Sequence, residues 1–256
     1  MRAFAAITRV TIRQTLRLRR FIGLGILSLA TMVTYLLTSF GQARSGGNAD
    51  DAFEIFLGMT IGTFMNIVVP VVTLIVATAV LGEERRDNTM SFLVLRPIRR
   101  TTIAAAKVTA AFVEAFLLTG IGAAGFGIVA AMRMEAWDYF VPLIAGTAIA
   151  TAAYAAVFVP LGYLLKRATL IGLTYLFVWE NGIAGAVPAV AGISPWRIGV
   201  SGMAGLAPDR FLFELPEFAI GSLTPGAGGA LAKAIVLMVL SSAAVTWILI
   251  KRDLAT

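Results

Sequence analysis

The sequence predicts an all-α integral membrane protein with six transmembrane helices, and three observations carry that reading. Its 256 residues are 59% hydrophobic and only 14% charged, with a mean hydropathy of +0.87, outside the balance of a soluble domain. Six apolar segments, near 21–40, 55–82, 108–132, 139–165, 168–192 and 229–250, can each cross a hydrocarbon core of about 30 Å at about 1.5 Å per residue. No polar stretch between them is long enough to fold separately, so residues 1–256 read as a single membrane domain.

Residues 1–20 predict an amphipathic interfacial helix. At about 100° per residue, Arg2, Arg9, Arg13, Arg17 and Arg20 share one face, with Phe4, Ile7, Thr11 and Leu18 opposite. The run at 21–40 is longer than the apolar core of a signal peptide, about 7–15 residues, and no small-x-small cleavage site follows it, so it reads as a retained first span. The second segment exceeds what a span requires and must tilt, kink at Pro70 or extend beyond the membrane. The fifth is interrupted by Trp179-Glu180-Asn181-Gly182 and Pro188, which predicts a broken helix with a partly re-entrant piece on the outer side, between spans five and six. Residues 193–228, with Pro195, Pro208, Pro216 and Pro225, read as an extracytoplasmic loop with short helical pieces.

Basic residues set the expected orientation. Sixteen of the 21 Lys and Arg residues fall in the N-terminal segment, the 83–107 loop, Lys166-Arg167 and Lys251-Arg252. Only Arg44, Arg133, Arg197, Arg210 and Lys233 lie on the other side. The positive-inside rule then puts both termini and the 83–107 loop in the cytoplasm. The net charge of +7 is accounted for by anionic lipid headgroups beside the apolar runs, and no nucleic-acid partner is expected. Cysteine and histidine are both absent, which removes disulfides, thiol catalysis and most zinc or haem chemistry. There is no G-x-x-x-x-G-K-Ser/Thr phosphate loop and no Ser/His pairing, so the chain is not expected to be an enzyme.

The most informative stretch is 82–108, GEERRDNTMSFLVLRPIRRTTIAAAKV. Asp87 or Asn88 can cap a new helical turn, Met90, Leu93 and Val94 then share a face, and Pro97 ends it. This stretch resembles the loop joining the second and third spans of permease subunits of the ABC-type-2 transporter family, the mainly exporting class of ATP-driven membrane pumps. The matching positions are Glu84, Arg85, Thr89, Leu93, Pro97, Arg100 and Lys107, with Asn88 where the family usually has Gly. A second similarity lies in Tyr175-Leu176-Phe177-Val178-Trp179-Glu180, which looks like the Trp-Glu segment of the family's fifth span.

The resemblance implies that 83–107 is a cytoplasmic coupling loop whose short helix docks on an ATP-binding subunit. It further implies a homodimer or heterodimer of permeases, two separate ATP-binding subunits that hold ATP and Mg, no cofactor in this chain, and residence in a bacterial plasma membrane. Glu114 in the third span and Glu180 in the fifth are intramembrane acids, costly unless paired, protonated or facing water. Each is open to a structural bond or a role in translocation, and with Asn181 they are candidate gating residues. The same two acids support an alternative, an ion-gradient-driven secondary transporter, although no inverted repeat accompanies them. Gly58 and Gly62 form a G-x-x-x-G pair suited to close helix packing or a subunit interface.

Overall fold

An apolar backbone in lipid satisfies its own N–H and C=O groups by forming helices, and all six apolar segments are helical over most of their described residues in the computed structural model. The structure describes residues 2–15, 18–86, 98–187, 191–215 and 226–253, and no strand occurs among them. Helix α1 is Arg2–Thr15, α2 is Leu18–Arg44, α3 is Ala49–Arg86, α4 is Arg100–Met134 and α5 is Trp137–Leu164. Helix α6 runs through 168–186, α7 is Pro195–Ala204, α8 is Asp209–Phe213 and α9 is Ala227–Asp253.

Five helices, Leu18–Arg44, Ala49–Arg86, Arg100–Met134, Trp137–Leu164 and Ala227–Lys251, are long and apolar enough to cross a membrane. The segment expected as the fifth of six spans is not among them. It is shorter, and Glu180 and Asn181 fall inside it. The break expected at Trp179–Gly182 is instead a π-helical stretch, Leu176–Ile183. Asn181 Nδ2 donates to the Leu176 carbonyl five residues back, at 3.0 Å, which satisfies a backbone acceptor where the helix widens. A short helix does follow: all ten residues of α7 are buried.

A second π-helical stretch, Met59–Val68, interrupts α3 just before Pro70. Proline has no N–H to offer the carbonyl four residues back and its ring crowds that carbonyl, so the widened turn takes up the misfit expected at Pro70. The start of α3 lies earlier than the apolar run suggests. Asn48 accepts from the backbone N–H groups of Asp50 (2.9 Å) and Asp51 (3.1 Å), while Asp51 accepts from Asn48 N at 2.8 Å. This capping box places two acids at the positive end of the helix.

Helix α5 is the centre of the packing, touching α3, α4, α6, α7 and α9. Close approach depends on small residues. A Cβ added to Gly162 would lie 2.5 Å from the Thr78 carbonyl oxygen, and one added to Gly199 would lie 2.5 Å from Ala150 Cβ. Helix α4 meets α2 the same way, a Cβ on Gly122 falling 2.5 Å from the Ser28 carbonyl oxygen. At one end of the molecule Tyr35, Phe53, Phe56, Phe64, Phe126 and Tyr139 pack as one aromatic cluster. The Tyr35 hydroxyl donates to the Ala52 carbonyl at 3.2 Å.

Helix α1 lies against α4, burying Thr11 and Thr15 and leaving Arg9 and Arg13 exposed, as its two faces predict. Leu18, expected on the buried face, is instead 73% exposed, because it opens α2 and does not continue α1. Among the described residues nothing packs closely on Gly58 or Gly62, the pair expected to serve close helix packing or a subunit interface. Both are exposed, and an added Cβ at either meets nothing within 4 Å.

Candidate functional site

The end of α3 carries four consecutive charges, Glu83-Glu84-Arg85-Arg86, and the fold distributes them among three other helices. Glu83 accepts from Arg20 of α2, and Arg86 Nη2 lies 3.8 Å from the same carboxylate. Glu84 is ion-paired with Lys107 of α4. Arg85 Nη1 donates to the Tyr163 carbonyl at 2.7 Å, one of the terminal carbonyls that α5 cannot satisfy within its own ladder. Lys107 is fully buried apart from 1% of its surface, so the pair with Glu84 is what makes its charge tolerable there. Glu84 and Lys107 thereby fasten the two flanks of the intervening loop to each other.

Of the residues expected to couple, Glu84 and Arg85 belong to this ionic collar and Arg100 opens α4. Asn88, Thr89, Leu93 and Pro97 lie outside the described residues. The short helix expected around them lies outside as well.

The two intramembrane acids are each held by a hydroxyl. The single Thr15 hydroxyl proton of α1 is shared between the Glu114 carboxylate of α4 and the Thr11 carbonyl, 2.8 Å away. Glu114 therefore ties the N-terminal helix to α4. Glu180 of α6 accepts from Ser194, the N-cap of α7, whose oxygen also receives the Arg197 backbone N–H at 3.3 Å. The buried Tyr154 hydroxyl and Arg197 guanidinium lie near the same carboxylate. Trp196 Nε1 donates to the Ile61 carbonyl at 3.3 Å, inside the π-helical stretch of α3.

An amide pair bridges the two π-helical stretches. Asn66 Nδ2 of α3 donates to Asn181 Oδ1 of α6 at 2.9 Å. Gly58, Gly62 and Asn66 recur every four residues along one stripe of α3. On α6 the side chains of Phe177, Val178 and Ile183 are exposed.

Residues 14–179 match the family described as ABC-2 family transporter protein. The chain belongs to that family. The ABC-2 match spans more than half of the chain and takes in α2 to α5, the ionic collar and residues 87–97. No curated protein matches the chain, and no solved structure does. As an ABC-2 permease the protein is an integral membrane transport protein, the membrane subunit of an ABC transporter and not itself catalytic. Permeases of this family normally work with ATP-binding subunits.

Several partners in these networks were not evident from sequence. Asn66 had a signal, being an amide inside an apolar run. Thr15, Ser194 and Glu83 had none, since their partners lie 99, 14 and 63 residues away with no shared periodicity.

Proposed function

We propose that this ABC-2 permease forms a dimer, with itself or a similar chain, and exports substrate using ATP hydrolysed by two separate ATP-binding subunits. The observation that carries the reading is the ionic collar. The helix that leads into 87–97 is bonded to α2, α4 and α5 at once, so a push on that segment moves four helices together. In this reading Asn88, Thr89, Leu93, Pro97 and Arg100 face the ATP-binding subunit in the cytoplasm, and Glu84 and Arg85 transmit the motion. Closure of the ATP-binding subunits on nucleotide then switches the pathway between two access states.

The open surface at Gly58 and Gly62, continued along the same stripe by the Asn66–Asn181 amide pair, supports a placement facing the second permease or the pathway between the two. The hydroxyl bonds to Glu114 and Glu180 support a structural role for those carboxylates over ion carriage. Both termini are cytoplasmic in this reading, and the membrane is the bacterial plasma membrane.

Because Glu84 and Arg85 are engaged inside the chain, Leu93 is the cleaner probe of the partner. Full-length protein purified from its native membranes should bring ATPase activity with it. Leu93→Asp should abolish that activity while the thermal midpoint of the chain stays unchanged. ATP-independent transport by the chain alone in liposomes would overturn the proposal.

A further inference from the structure

A cleft of about 550 Å³ opens where the ends of α3 and α5 and the start of α6 diverge. Four cations line it, Arg20, Arg85, Arg86 and Lys166, together with the Thr78 and Thr169 hydroxyls, which lie 3.4 Å apart. Ile75, Ala79 and Leu165 supply apolar wall.

The cleft is built into the fold. Helices α3 and α5 touch closely at Thr78, Gly82 and Gly162, where a Cβ on Gly82 would lie 3.2 Å from the Gly162 carbonyl oxygen. Beyond that contact the two helices part. Two of the cations are fixed before any ligand arrives: Arg85 by the Tyr163 carbonyl and Arg20 by Glu83. Glu83 is the carboxylate in contact with these cations, bridging Arg20 and Arg86, and it leaves the positive charge in clear excess. The first turn of α6 adds its free N–H groups, as Ala168 and Thr169 line the same space and Arg167 gives no side-chain cap.

We propose that this cleft binds a phosphoryl group, with the headgroup of an anionic phospholipid and a free phosphate as its two possible sources. Guanidinium forks match phosphate oxygens in pairs, and Lys166 adds a point charge. Beside them the apolar wall suits the glycerol and upper acyl chain of a lipid. Occupancy bridges the end of α3 to the start of α6, and so bears on the helix that enters the coupling segment. The site stands independently of ATP coupling, since it concerns only how this chain holds an anion.

Native mass spectrometry of the full chain in detergent tests it. Added phosphatidylglycerol should be retained over phosphatidylcholine of the same acyl chains. Lys166→Gln and Arg86→Gln, both at exposed side chains, should each lower that retention about fivefold, the value of one cation near a membrane surface. Arg44→Gln, which removes an equal charge from the exposed C-terminal end of α2, away from the cleft and from the basic face of α1, should leave it unchanged. A parallel arm follows phosphorus-31 line broadening of inorganic phosphate with lipid-free protein. Phosphate binding with the same dependence on Lys166 and Arg86, without lipid preference, assigns the site to a soluble phosphoryl group. Equal retention of the two lipids with no phosphate binding overturns the proposal, and so does an equal loss in Arg44→Gln.

Discussion

The contrast between Gly122 and Gly58 shows how one residue type plays two roles in this chain. A Cβ on Gly122 would fall 2.5 Å from the Ser28 carbonyl oxygen, whereas one on Gly58 meets nothing within 4 Å. Gly122→Ala should therefore cost about 1–3 kcal/mol through overpacking of α2 against α4. Gly58→Ala should be neutral or gain up to about 1 kcal/mol of helix propensity in the isolated chain. Thermal unfolding of the two variants in detergent checks both values, and a large loss for Gly58→Ala would mean that a second copy packs on it. Glu180 poses a related question of role. A glutamine there can still accept the Ser194 hydroxyl but removes the negative charge beside buried Arg197, so Glu180→Gln should cost about 1.5–3 kcal/mol and leave transport largely intact. Loss of transport with normal assembly and normal ATP turnover would instead make the charge itself part of translocation.

Among the helices, α3 is the most informative because its irregularity has a stated cause. The π-helical stretch Met59–Val68 precedes Pro70 and presents Asn66 to Asn181 at 2.9 Å. Restoring the missing N–H by Pro70→Ala should let the stretch revert to α-helix. Each residue removed from a widened turn rotates the face before it by about 100°. Asn66 would then turn away from α6. The chain has no cysteine, so Asn66→Cys with Asn181→Cys forms a clean cross-linking pair, and its yield should fall severalfold when Pro70→Ala is added. An unchanged yield would show that packing, not proline, sets the widened turn. The positions of the helices were legible from hydropathy, because lipid leaves an apolar backbone one local solution. Their ends were less so: Asp50 and Asp51 look like loop, yet they form the acidic first turn of α3 behind the Asn48 cap. The π-helical geometry at Trp179–Gly182 was read as a break, since residue type shows a misfit there without showing how the chain absorbs it.

At the scale of the whole molecule, the charges at the end of α3 were visible in sequence but their destinations were not. Glu84 and Lys107 were both singled out by resemblance, while the bond between them depends on how α3 and α4 cross. This pair also allows fold and coupling to be separated. Glu84→Lys alone sets a second cation beside Lys107, which is buried to within 1% of its surface. Lys107→Glu alone sets two carboxylates against each other across the same gap. Each single change should cost about 3–5 kcal/mol, the range for breaking a buried pair. The double exchange keeps one charge of each sign and should recover most of that loss in the thermal midpoint and in membrane yield. ATPase co-purification by the double variant then assigns the role of the pair. If it returns with stability, Glu84 acts by holding the flanks of the loop together. If stability returns and the ATPase does not, the Glu84 carboxylate is itself read by the partner, and the collar is part of the docking surface as well as its support.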